Sequence, residues 1–126
     1  MAMRGLRDRM AIVTGGAGGI GQAICRRFAE EGAKVAVFDI DGVAAEVLAA
    51  AIREGAGEAR AYAVDLTDQA SVVDAVAKAE ADLGATDVLV NNAGWDRAAP
   101  FLDTDKSLWE RIVAVNLYGP LHMHHA

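Results

Sequence analysis

The sequence has a single cysteine, Cys25, so it can form no intramolecular disulfide and no thiolate cage for zinc. That usage fits a reducing cytoplasm. Basic residues are in deficit: 12 Lys and Arg stand against 18 Asp and Glu, a net charge of −6. A chain without a basic footprint does not suit nucleic acid as a partner. No run approaches the roughly 18 uncharged apolar residues that a membrane span needs. Residues 1–9 carry Arg4, Arg7 and Arg9, but no apolar core follows, so they do not read as a secretory signal. Aromatic residues make up only 6 % while alanine is abundant, a pairing that suits helices packed closely on a sheet. What remains is 53 % hydrophobic and 24 % charged, which excludes disorder, and 126 residues bound the chain to one domain, 1–126.

Apolar runs and helical patterns alternate along the chain. Met10-Ala11-Ile12-Val13 reads as a strand buried on both faces, stopped by Thr14 and a glycine cluster. From Gly19, apolar residues at Ile20, Ala23, Ile24 and Phe28 predict a helix that Gly32 closes. A second strand spans 34–38, and a second helix is marked by Val43, Val47, Leu48, Ala51 and Ile52. A third strand spans 59–64. Thr67 or Asp68 caps a third helix with Val72, Val73, Val76 and Leu83 on its apolar face. A fourth strand, 87–90, ends in Asn91-Asn92-Ala93-Gly94, and a last helix carries Trp109, Ile112, Val113 and Leu117, with Asp103 and Asp105 before it as caps. Pro120, inside that helical pattern, should bend or open it near Asn116. Strand and helix alternate four times with crossovers of a dozen residues or more. This predicts an α/β fold: a Rossmann-type, doubly wound parallel sheet, here its first four βα units.

The chemistry concentrates after the first strand. Thr14-Gly15-Gly16-Ala17-Gly18-Gly19-Ile20-Gly21 can be read as Gly16-x-Gly18-x-x-Gly21 or as Thr14-Gly15-x-x-x-Gly19-x-Gly21. Both readings give a tight turn whose backbone N–H groups approach a pyrophosphate at a helix N-terminus. Eighteen residues after Gly21, Asp39 ends the second strand, where a carboxylate can accept hydrogen bonds from a ribose diol. The blander reading of Asp39 is a turn residue at the strand's end, as Asp41 next to it could equally be, but the glycine context favours the ribose role for Asp39. A carboxylate there repels a 2′-phosphate, and neither 16–18 nor 40–42 holds a basic residue, so the expected cofactor is NAD rather than NADP.

Together these residues resemble the short-chain dehydrogenases/reductases, through Thr14-Gly15-x-x-x-Gly19-Ile20-Gly21, Asp39, Asp65-Leu66, Asn91-Asn92-Ala93-Gly94 and Asn116 in Val115-Asn116-Leu117-Tyr118-Gly119. The resemblance implies hydride transfer between a secondary alcohol or ketone and NAD. It implies a nucleotide site formed by Gly15, Gly18, Gly19, Ile20, Gly21 and Asp39. Asp65 and Leu66 would hold the adenine. Asn91, Ala93 and Gly94 would line the adenosine side and steady the first strand. Asn116 would be the catalytic-helix asparagine, with a water held at its helix distortion. A narrower likeness to members acting on hydroxyacyl-CoA thioesters rests on Trp95-Asp96, Trp109-Glu110-Arg111 and residues 121–126. A small-molecule alcohol or ketone, with CoA thioesters among the candidates, and a homo-oligomer are the implied partners.

One departure stands out. The family's Tyr-x-x-x-Lys pair has no counterpart: Tyr118 is followed four residues on by His122, and the three lysines (Lys34, Lys78, Lys106) follow no tyrosine at that spacing. The sequence thus resembles the front half of a longer family member, expected to turn over nothing by itself. Two other readings use the same residues: a dinucleotide-binding module without catalysis, and a methyltransferase-type Rossmann domain, against which Asn-Asn-Ala-Gly argues. His122 and His125 share a helix face, but without a carboxylate or cysteine beside them they read as helix residues rather than metal ligands. Cys25, beside Ile24, reads as a packed small side chain. Trp95 is expected in a cleft and Trp109 in the core.

Overall fold

Alternation of side chains along the strands sets the layers. The computed structural model describes residues 5–126; residues 1–4, and with them the Arg4 end of the basic N-terminal stretch, lie outside the described residues. Met10–Thr14 (β1), Lys34–Asp39 (β2), Glu58–Ala63 (β3) and Thr86–Val90 (β4) form one parallel sheet in the order β3-β2-β1-β4. Successive residues point to opposite faces. Met10 and Ile12 of β1, with Ala36 and Phe38 of β2, therefore face one layer, and Val13, Val35 and Val37 face the other.

Helices cover both layers. Gly19–Glu30 (α1) and Gly42–Glu54 (α2) close one face through Cys25, Ala45, Leu48, Ala49 and Ile52. Gln69–Leu83 (α3) closes the other through Val72, Val76, Ala79 and Leu83, joined by Met123 of Gly119–His125 (α5). Small residues make the contacts of the first layer, so the helices sit close to the sheet, and Cys25 is fully buried there. Burial pushes the Cys25 thiol up to about 12, which keeps it protonated and inert. On the second face the Phe38 ring is fully buried and meets Tyr62 at 5.5 Å between centroids. The Tyr62 hydroxyl donates to Asp82 Oδ2 at 2.8 Å, satisfying its polar end at the rim.

Aspartate side chains set three of the helix starts. Asp41 Oδ1 accepts from Ala44 N at 3.0 Å, Asp68 Oδ1 from Ala70 N at 3.0 Å, and Asp105 Oδ1 from Leu108 N at 2.9 Å. Asp68, not Thr67, thus caps α3, and Asp105 rather than Asp103 caps Lys106–Val113 (α4); Asp103 lies in a single 3₁₀ turn, Phe101–Asp103. α4 runs into a π-helical turn, Ala114–Tyr118, and then into α5.

Several sequence expectations need correcting, among them the apolar positions Ile20, Val113 and Leu117, which are exposed. Val43 and Val47 are 78 % and 67 % exposed, because α2 packs through Ala45, Leu48, Ala49 and Ile52 and turns the two valines outward. Val73 is likewise on the outer side of α3. Trp109 is not in the core: α4 buries Leu108, and Trp109 turns outward to stack on Phe101, with its Nε1–H donating to Thr104 Oγ1 at 2.8 Å.

Candidate functional site

The strands' carboxyl ends open onto a cleft of about 570 Å³, in the range of cofactor sites. Its floor is the glycine turn between β1 and α1. Gly15 has φ +61, and a Cβ there would lie 2.8 Å from Ala93 Cα. At Gly21 a Cβ would lie 2.1 Å from the Gly15 carbonyl oxygen and 2.8 Å from Gly16 Cα. The turn therefore closes on backbone from two sides and tolerates no side chain at these positions. The N-cap of α1 is Gly18, which offers no side-chain acceptor, and no acidic residue lies in the first turn. The N–H groups there, at the positive end of the helix, keep their hydrogen-bonding capacity for an anion.

Beside the turn stands Asp39. Its Oδ2 accepts from Ala17 N and its Oδ1 from Asp41 N, each at 3.0 Å, so the carboxylate is oriented by the glycine turn on one side and its own bend on the other. Each oxygen retains a lone pair for a donor in the cleft. Asp41, by contrast, is committed to capping α2. Asp39 lines the cleft and Asp41 does not.

Past β3, Asp65 and Leu66 form the wall opposite the β4 end. Asp65 Oδ1 accepts from Thr67 Oγ1 at 2.7 Å and from Thr67 N at 2.9 Å, and these bonds, the hydroxyl first, hold its carboxyl below the usual range. Leu66 is buried, and its carbonyl accepts from His122 Nδ1 of α5 at 2.7 Å.

The end of β4 is stitched to β1. Thr14 Oγ1 accepts from the N–H groups of Asn92 and Ala93, both at 3.1 Å, and Asn92 Nδ2 donates to the carbonyls of Thr14 (3.0 Å) and Gly15 (3.1 Å). Asn92, which was not among the expected site residues, is thus the side chain that steadies the glycine turn. Asn91 points the other way, its Nδ2 3.2 Å from His124 Nε2 on α5, and it does not line the cleft. Alternation along β4 could have separated the two asparagines, had the partner of each face been known.

Ala93, Gly94 and Trp95 line the cleft, with the Arg111 guanidinium 3.9 Å from the Trp95 ring centroid. Asn116 lies behind this wall rather than in it. Its Oδ1 accepts from Trp95 N at 3.1 Å, and its Nδ2 donates to the carbonyls of Trp95 (2.6 Å) and Ile112 (2.8 Å). The side-chain amide is thereby spent on holding the loop after β4. Gly94 is small for the same reason: a Cβ there would lie 2.9 Å from Asn116 Oδ1. Of the other expected residues, Gly18, Gly19 and Ile20 also reach the cleft. Val115, beside Asn116, lines it too and had no sequence signal beyond an apolar position.

Among the described residues, no group of three or more His, Cys, Asp or Glu is arranged to hold a metal, and no helix is long and apolar enough to cross a membrane. The cleft offers free backbone N–H groups at the start of α1, the carboxylate of Asp39 as an acceptor, and an apolar wall that includes Leu66.

Comparison with known proteins agrees with this. The family described as short chain dehydrogenase matches residues 9–126. D-threitol dehydrogenase of Mycolicibacterium smegmatis is 40 % identical over 118 residues, which cover 94 % of this chain and 45 % of that protein. Among solved structures, NAD⁺-bound xylitol dehydrogenase superposes with a TM-score of 0.91 at 35 % identity, covering 98 % of this chain and 48 % of that one. A 3-ketoacyl-(acyl-carrier-protein) reductase from Brucella melitensis, complexed with NADH, gives 0.89 at 36 % identity over 95 % and 49 %. The chain spans about half the length of each of these three proteins.

Proposed function

The chain belongs to the short-chain dehydrogenase family, and from that premise we propose that it binds NAD(H) in the cleft and supplies the cofactor half of an alcohol–ketone oxidoreductase. The observation that carries the reading is the pairing of an uncapped glycine turn with Asp39 in one cleft. The turn's N–H groups would hold the pyrophosphate, and Asp39 would accept from the adenosine ribose diol. Asp65 and Leu66 would flank the adenine. Ala93 and Gly94 would line the adenosine side, with Asn92 fixing their distance from the turn.

Bound there, the nicotinamide would accept or give up the hydride. The chain's own part is positioning. Asn116 fastens both backbone groups of Trp95 and so sets one wall of the space beside the cofactor. Because its side-chain amide is engaged, the group it would offer to a water in a proton path is its main-chain carbonyl. Pro120, four residues on, has no N–H to give that carbonyl, and Gly119 N bonds Ala114 O in the wider π pattern instead. A secondary alcohol or ketone is the substrate class, with hydroxyacyl-CoA thioesters as one candidate among polyols and simple alcohols.

Fluorescence titration of NADH and NADPH into the wild type and Asp39→Ala tests the assignment. The wild type is expected to prefer NADH by at least about tenfold, roughly one strong hydrogen bond to a charged acceptor, and the variant to lose most of that preference. Wild-type binding of NADPH as tight as NADH would remove Asp39 from the ribose role.

A further inference from the structure

The wall formed by Asp65 and Leu66 follows the outermost strand, β3, and has little sheet beyond it to hold it. Local bonds shape it: Thr67 turns onto Asp65, and Asp65 N donates to Ser71 Oγ. Val64 N donates to the Asp39 carbonyl at 2.9 Å and Leu66 packs in the layer of α3, and to these α5 adds a direct bond to the wall's own backbone. His122 Nδ1 lies 2.7 Å from the Leu66 carbonyl oxygen across 56 positions of sequence. A carbonyl only accepts, so Nδ1 carries the proton in this contact.

Three features make the contact a fixed strut. Met123, the next residue, is buried in the layer of α3, which anchors α5. Gly119 lets the helix approach, since a Cβ there would come 3.1 Å from Leu66 Cβ. The His122 ring also lies against Tyr118, with centroids 6.3 Å apart and planes at 28°.

We propose that His122 is a positioning residue for recognition of the adenine end of the cofactor: it holds the Leu66 carbonyl and so sets where the apolar wall stands relative to Asp39. This rests on the nucleotide reading of the cleft. It assigns His122 no contact with the cofactor and no part in hydride or proton transfer. The bond holds the backbone at Leu66, so the wall's place depends on a donor at Nδ1 rather than on the bulk of the ring.

The test is a set of binding measurements on the purified protein, using NADH, AMP and reduced nicotinamide mononucleotide as probes. His122→Phe keeps a ring against Tyr118 and removes the donor. His122→Asn places an amide N–H near the Nδ1 position. The Phe variant is expected to weaken NADH and AMP alike by about five- to tenfold, the worth of one hydrogen bond, and to leave the mononucleotide unchanged. The Asn variant should recover most of the loss. Should the Phe variant not fold, Asn is compared with His122→Ala, and only Asn should keep AMP affinity. The proposal is overturned if the donor-less variant binds AMP within about twofold of the wild type, or if AMP and the mononucleotide weaken together, the mark of a general structural defect. Wild-type protein that binds neither NADH nor AMP overturns the nucleotide reading itself, and this proposal with it.

Discussion

Single residues in this molecule act mostly through what surrounds them, and the glycine turn shows how sharply neighbours can differ. Gly19 and Gly21 are both in the first turn of α1 and both line the cleft. A Cβ on Gly19 meets nothing within 4 Å, whereas one on Gly21 lies 2.1 Å from the Gly15 oxygen. Gly19→Ala is therefore expected to leave the melting temperature unchanged or raise it slightly, since alanine is favoured over glycine in a helix by roughly 0.5–1 kcal/mol. Gly21→Ala must push α1 off the turn, at a cost of about 1–3 kcal/mol typical of overpacking, and should weaken NADH binding as the N–H groups move. Thermal melts of the two variants check this; equal melting temperatures would mean that the turn is softer than its contacts indicate. The glycine spacing was legible in the sequence because it is a backbone requirement. The division of labour between Asn91 and Asn92 was not: two identical side chains on opposite faces are told apart only by knowing that β1 lies on one side and α5 on the other.

At the scale of elements, β1 and β2 were legible because burial on both faces turns them into continuous apolar runs, whereas β3 carries Glu58 and Arg60 among its alanines and reads less plainly. Which valines of α2 and α3 face inward was not legible, because alanines rather than the larger residues make much of the contact with the sheet. Pro120 was read as a helix disturbance, and the π turn lies just before it, where the missing N–H falls. The start of β4 rests on acids that composition counts only as charge. Asp87 accepts from Met10 N at 3.0 Å and from Arg9 Nη1 at 2.6 Å, and Glu80 accepts from Thr86 N at 2.9 Å. The Met10 N–H and then Arg9 hold the Asp87 carboxyl below its ordinary range, and the Thr86 N–H does the same for Glu80. A carboxyl whose pKa is lower in the folded state stabilises the fold above its unfolded pKa, near 4, and the contribution is lost as pH falls through the folded value. Asp87→Asn should therefore be less stable than wild type at pH 7, with the difference shrinking below about pH 4 as the wild type loses its charge. Urea unfolding at pH 7, 5 and 3 measures it; a difference that persists unchanged at pH 3 would show that the charge at Asp87 has no role.

Taken whole, the two edges of the sheet are guarded differently. One edge of the sheet, β3, carries Glu58 and Arg60, and the Arg53 guanidinium covers it by donating to the Ala59 carbonyl at 2.9 Å while pairing with Glu46. Charge and a side-chain plug are ordinary means of keeping an edge from pairing. The other edge, β4, has no such cover among the described residues: Val88, Leu89 and Val90 pair with β1 on one side only. Near it, Val113, Leu117 and Leu121 along the α4–α5 run are 41 %, 54 % and 52 % exposed. Such surface is worth about 25 cal/mol per Å² once removed from water, so a few hundred Å² of contact is a substantial driving force. A polypeptide of residues 1–126 prepared by itself should accordingly self-associate through β4 and the α4–α5 face and not through β3. Multi-angle light scattering on a mass-verified sample reads the outcome. Val88→Lys, on the unguarded strand and outside the packed core, should weaken the association, whereas Arg53→Ala should strengthen it by uncovering the second edge. A cooperative monomer at tens of micromolar, unaffected by either change, would show that exposed strand backbone and apolar helix faces do not govern how this chain behaves in solution.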